Sequence, residues 1–111
     1  DQFGAPTYAA DLAEGLMKMI AHKPWQPGLF HFTNRGVTNW FEFAGLIRDL
    51  SGSSCKIIPI PTEQYPTPAK RPAWSVLDNS RFDRVFGFPG RDWQIALEEC
   101  IQKIQHGTGE N

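Results

Sequence analysis

Lys70 and Arg71, two adjacent cations, are the residues whose type and setting best suit ligand binding. They sit in the run Tyr65-Pro66-Thr67-Pro68-Ala69-Lys70-Arg71-Pro72-Ala73-Trp74-Ser75, which neither a helix nor a central strand can cross. Each proline fixes its own φ, removes an amide donor and pushes the preceding residue toward extended geometry, so Tyr65, Thr67 and Arg71 are expected to be extended. The segment therefore reads as a stiff surface strap. A guanidinium on such a strap loses little further entropy when it grips a phosphate or carboxylate through two parallel hydrogen bonds, and Lys70 adds a second, more mobile charge. On composition alone the internal use is the commoner one, in which Arg71 pairs with a carboxylate of its own fold and the prolines only carry the chain between helices, since most surface arginines bind no ligand.

The opening run Gln2-Phe3-Gly4-Ala5-Pro6-Thr7 is a turn whose glycine and proline allow close backbone approach, either to a ligand or as a plain entry to a helix. Thr7 is placed to cap that helix, which runs to Ala21 with Ala9, Leu12, Leu16, Met19 and Ile20 at helical spacing. Residues 29–33 are short, aromatic and β-favouring, and residues 56–60 read as a second brief strand that Pro59 confines to an edge or an end. Asn39 followed by Glu42 forms a capping-box pattern for a second helix, whose stripe of Trp40, Phe43, Leu46, Ile47 and Leu50 is expected in the core before Gly52 ends it. Asp78-Asn79-Ser80 offers caps for a short helix closed by Gly87. Asp92 caps the last helix, whose apolar face is Trp93, Ala96, Leu97, Cys100, Ile101 and Ile104. Residues 107–111 are expected to be a disordered tail.

At 111 residues the chain is one unit that folds only by burying most of its aromatic surface. A net charge of −1 gives no general attraction to nucleic acid or to an anionic membrane, so any anion site must be local. There is no membrane-length apolar run and no cleavable leader pattern, and a cytoplasmic setting is expected. Cys55 and Cys100 are too few for a disulfide framework and, with His22, His31 and His106, show no metal-ligand spacing, so no metal site is assigned.

The strap resembles a known signature. Pro66 to Asp78 follows P-T-P-A-x-R-P-x-x-S-x-L-D, which is similar to the motif of the dTDP-4-dehydrorhamnose reductases, extended short-chain dehydrogenases that make dTDP-L-rhamnose. Asp1 to Thr7 resembles the family's D-Q-x-G-x-P-T block, Gly28 to Phe32 its G-x-Y-H strand with Phe30 for tyrosine, and Asn39 to Ala44 its S-W-x-E-F-A helix start with asparagine for serine. Asp92-Trp93 with Ala96-Leu97 resembles its closing D-W-x-x-A-L, so the blocks follow family order over nearly the whole chain. The resemblance implies an α/β fold: a small mixed helix-strand lobe, the C-terminal part of a Rossmann-type short-chain dehydrogenase, with about three main helices and two short strands. It puts Gln2, Gly4, Pro6 and Thr7 of the first block, and Lys70, Arg71 and Ser75 of the strap, on the substrate side of the cleft, facing a dTDP-sugar.

A reductase of this class also needs a glycine-rich phosphate loop and a Tyr-x-x-x-Lys pair. The sequence has no such loop, and Tyr8 and Tyr65 are followed four residues later by Leu12 and Ala69. The chain alone is therefore expected to be inactive, with no catalytic or cofactor-binding residue of its own. The start at Asp1 suggests the C-terminal part of a longer enzyme, whose dinucleotide-binding domain would carry NADPH or NADH and the catalytic pair, with residues 29–33 at the edge of that domain's sheet. Without that domain, exposed apolar surface is expected to drive homodimer formation. A regulatory module similar to the beta subunit of methionine adenosyltransferase, and a free-standing interaction domain, are the alternatives from other classes.

Overall fold

The structure is a computed structural model, and it describes residues 1–107. The expected disordered tail therefore lies, beyond Gly107, outside the described residues. Two antiparallel strands, β1 (Phe3–Gly4) and β2 (Thr38–Asn39), pair Phe3 with Asn39 and Gly4 with Thr38. Four α-helices accompany them: α1 (Ala9–Ala21), α2 (Trp40–Ser51), α3 (Ser80–Phe86) and α4 (Trp93–Gln105), with one 3-10 turn at Thr62–Gln64. The architecture is the expected mixed α/β lobe, but its strands are not the ones anticipated.

Residues 29–33 form no ladder, since no described segment pairs with them as a strand, and side chains of the α3 region take two of their carbonyls. Arg81 Nη1 donates to the Leu29 carbonyl at 3.0 Å, and Asn79 Nδ2 donates to the Thr33 carbonyl at 3.0 Å and to its hydroxyl at 2.8 Å. Residues 56–60 stay irregular, since Pro59 and the following Pro61 remove the amides a ladder would need. Asn39 Oδ1 does cap α2, accepting the Glu42 amide at 2.9 Å, and Gly52 ends that helix in the left-handed region at φ 72°. Asp92 caps α4 through the Gln94 amide at 2.9 Å. Thr7 does not cap α1: its hydroxyl turns back to the Ala5 carbonyl, and Asn34 Oδ1 takes the Tyr8 amide at 2.7 Å instead.

Asn34 is almost wholly buried and ties three segments together. Its Nδ2 donates to Asp11 at 2.7 Å and to the Arg91 carbonyl at 3.3 Å, while the Arg91 guanidinium grips Asp11 through Nε and Nη2, both at 2.9 Å, and reaches Glu99 on α4. Burial by itself would raise the Asp11 carboxyl, but the hydrogen bonds from Arg91 and Asn34 outweigh it and hold it below its ordinary value. Helix α1 thus turns Asp11 and Gly15 inward, against Arg91 and the rings of Phe32 and Phe82. Its apolar stripe points outward, with Leu16 49 % and Ile20 65 % exposed.

Apolar burial is thin. Phe82, Trp93 and Ala96 make up the fully buried core, flanked by the rings of Phe30, Phe32, Phe86 and Phe88. The radius of gyration is 16.5 Å, against about 13 Å for a compact domain of this length.

Candidate functional site: a two-part cleft under the strap

Strand β1 lies between β2 and the strap. The Phe3 amide donates to the Ala73 carbonyl at 2.9 Å, and the Ser75 amide donates back to the Phe3 carbonyl at 2.9 Å, so the strap joins β1 as a short parallel bridge at Trp74. The Ser75 hydroxyl adds a bond to the Phe3 carbonyl at 3.1 Å. Gly4 makes this approach possible, because a β-carbon there would stand 2.8 Å from Ser75 Oγ. The glycine expected to allow a close approach does so toward the strap.

A second pin holds the other end of the strap. Both Asp1 carboxylate oxygens accept the Thr62 amide at 3.1 Å and one accepts its hydroxyl, while Gln2 Nε2 donates to that hydroxyl at 3.2 Å. Between these pins the chain crosses residues 65–72, where five of the eight residues are neither proline nor glycine yet the only side-chain hydrogen bond among the described residues is Thr67 to the Ala69 carbonyl. The strap is thus fixed at its ends.

Two adjoining cavities open beneath it. The first, about 380 Å³, is lined by Gln2, Gly4, Pro6, Arg71 and Ser75, together with residues of β2 and the start of α2. The second, about 480 Å³, runs along residues 57–62 and is faced by Trp40, Phe41 and Tyr65. Gln2, Asn39, Trp40 and Arg71 line both, so Arg71 stands at their junction. Among the described residues Arg71 pairs with no carboxylate. Lys70 and Thr7 are exposed and line neither cavity. No cluster of three or more histidine, cysteine or acidic residues suited to a metal occurs among the described residues.

Sequence reasoning missed Trp40 and Tyr65. Trp40 falls on the apolar period of α2 and was expected in the core, but it is 66 % exposed and opens onto both cavities. Helical spacing cannot separate the first turn, which overhangs the cleft, from later turns that pack on α4. Tyr65 was legible only as the start of the strap.

An α/β lobe whose cleft has a guanidinium unpaired among the described residues, hydroxyl-bearing walls and exposed rings has the chemistry to take an anionic organic molecule. The chain belongs to the RmlD substrate binding domain family, which matches residues 1–106. It is 38 % identical to a dTDP-4-dehydrorhamnose reductase of Burkholderia thailandensis over 119 residues, covering 94 % of this chain and 40 % of that protein. Among solved structures, a dTDP-4-dehydrorhamnose reductase from Clostridium acetobutylicum matches with a TM-score of 0.88 and 41 % identity over 95 % of this chain and 37 % of that one. The Bacillus anthracis reductase in complex with NADP matches with a TM-score of 0.78 and 34 % identity, over 89 % and 34 %. The chain spans well under half the length of the curated relatives it matches, 35 % and 40 % for two of them.

Proposed function

We propose that this chain is the substrate-binding portion of an NADPH- or NADH-dependent dTDP-4-dehydrorhamnose reductase, which reduces the 4-keto group of dTDP-4-dehydro-L-rhamnose to form dTDP-L-rhamnose. The single observation that carries the reading is Arg71, unpaired and lining both cavities of a cleft built from the D-Q-x-G-x-P block and the strap. Arg71 grips the diphosphate. Gln2, Gly4, Pro6 and Ser75 shape the first cavity around the ligand, while Lys70 and Thr7, outside the cavities, contribute at most long-range charge and turn geometry.

The described residues include no glycine-rich loop for a dinucleotide, so the cofactor belongs to a separate dinucleotide-binding domain, which supplies hydride and the Tyr-x-x-x-Lys pair. That domain is also the partner for the exposed face of α1, since Leu12, Leu16, Met17 and Ile20 form a contiguous apolar stripe of the kind that interfaces cover. No helix among the described residues is long and apolar enough to cross a membrane, and a cytoplasmic setting suits a soluble nucleotide-sugar substrate. Without its partner domain, the face would drive self-association.

The test joins the chain to its dinucleotide-binding domain and follows nicotinamide oxidation with dTDP-4-dehydro-L-rhamnose. The joined protein is expected to turn over and the 111-residue chain is not. No turnover by the joined protein overturns the reading.

A further inference from the structure

We propose that Asp1 is a positioning residue: residues 1–3 act as one staple across the two ends of the strap, and the Asp1 end of that staple sets how firmly Arg71 is presented to an anionic ligand. The inference rests on the nucleotide-sugar reading and deepens it, since Asp1 acts on the ligand only through the strap.

Three consecutive residues close the loop. Asp1 and Gln2 bond Thr62, where the approach to the strap begins, and Phe3 exchanges backbone bonds with Ala73 and Ser75, where the strap ends. Both ends are thereby tied to one short segment, and Arg71 falls inside the ring so formed.

The Thr62 end depends on Asp1 for a local reason. Thr62–Gln64 is a single 3-10 turn, and the residue before it, Pro61, gives it no side-chain cap, so the turn itself offers its first amide no acceptor. Asp1 supplies one from 61 positions away: both carboxylate oxygens lie 3.1 Å from that amide, and one also accepts the Thr62 hydroxyl. A charged acceptor makes the stronger bond, so Asp1 dominates this end and Gln2, 3.2 Å from the hydroxyl, is secondary. The turn leads straight into the strap, with the Tyr65 amide on the Thr62 carbonyl at 3.0 Å. Residues 62–75 are all exposed, and Pro66 and Pro68 limit bending, so loosening at Thr62 is carried toward Arg71 and not absorbed on the way.

The sign of the effect separates this role from plain electrostatics. Asp1 lines the second cavity, as Arg71 does, and a carboxylate beside an anion's site repels the anion, so on charge alone its removal tightens binding. As a positioning residue its removal weakens binding, because Arg71 must then be ordered as the ligand docks.

The test uses the joined protein with two readouts on each variant: the rate of tryptic cleavage after Lys70, which needs a pliable strap, and the dissociation constant of dTDP by calorimetry. Asp1→Ala is expected to speed cleavage about tenfold and to weaken dTDP about fivefold. Asp1→Asn, whose amide oxygen still accepts the Thr62 amide, keeps both within about twofold of the unsubstituted protein. In an Arg71→Ala background, Asp1→Ala changes the dTDP affinity by less than about twofold, since the group it positions is gone. Asp1 and Thr62 are exposed, so neither change threatens the core, and Thr62→Ala, which removes only the shared hydroxyl, is a second variant with cleavage about threefold faster. Unchanged cleavage or tighter dTDP binding on Asp1→Ala, full additivity with Arg71→Ala, or no binding of dTDP by the unsubstituted protein overturns the proposal. Neither readout needs turnover, so a joined protein that behaves in the expected way yet reduces nothing removes the proposed reaction and leaves this inference standing.

Discussion

Gly4 and Ser75 meet at the seam between β1 and the strap, and a β-carbon on Gly4 would stand 2.8 Å from Ser75 Oγ. That hydroxyl bonds the Phe3 carbonyl at 3.1 Å, so an added methyl group evicts it from a hydrogen bond without touching the core. Gly4→Ala is therefore expected to cost about 1 kcal/mol, the net worth of such a bond. In a Ser75→Ala background the same change should be nearly neutral, since the clashing atom is gone. Urea unfolding of the four variants measures the coupling. Additive losses would show that Gly4 serves another purpose.

Among the described residues Arg71 has no ion-pair partner to lose. Arg71→Ala should leave the melting temperature of the joined reductase unchanged and raise KM for the nucleotide-sugar more than about tenfold, with kcat less affected because the diphosphate does not react. Arg71→Lys should restore only part, as an ammonium cannot reproduce a two-pronged grip. A drop in melting temperature with an unchanged KM would assign Arg71 to bracing the strap.

The Asp11 carboxyl sits below its ordinary value of 3.8 through Arg91 and Asn34, so the unfolded chain holds more protons than the folded one in that range. The stabilisation is complete above about pH 5 and is lost as pH falls through the depressed folded value. Asp11→Asn should flatten this acid limb and cost about 2 kcal/mol at neutral pH, because the Arg91 fork loses its charged acceptor. Unfolding free energies of both proteins between pH 3 and 7 decide, and parallel curves would remove Asp11 as the source.

Helix α1 contributes little apolar surface to the core and α4 contributes Trp93 and Ala96. In the isolated chain the amides of α1 are expected to exchange with solvent faster than those of α4, and joining the dinucleotide-binding domain should slow α1 selectively. Leu16→Glu, at an exposed position, should abolish that slowing and leave the isolated chain's stability unaltered. Unchanged α1 exchange on joining would place the partner elsewhere.

What was legible in the sequence is what depends on neighbours a few residues away. Asn39 caps α2 and Asp92 caps α4 because a cap needs only an oxygen and an amide two or three positions on, and Gly52 and Gly87 end helices because only the local backbone must turn left-handed. The prolines of the strap exclude regular structure by their own chemistry, and the spacing of the family blocks survives in the order of the chain. Tertiary structure decided the rest. Whether Thr7 or Asn34 served the start of α1 turned on a residue 26 positions from Tyr8, and whether residues 29–33 became a strand turned on whether another segment lay beside them, which none of the described ones does. Periodicity identified the stripes of α1 and α2 but not what they face, since a stripe has the same spacing whether it meets a core, a cleft or another domain. The freedom of Arg71 is also a tertiary fact: it depends on which carboxylates come near, and Asp1, the acid that lines the second cavity beside it, is already bound to Thr62.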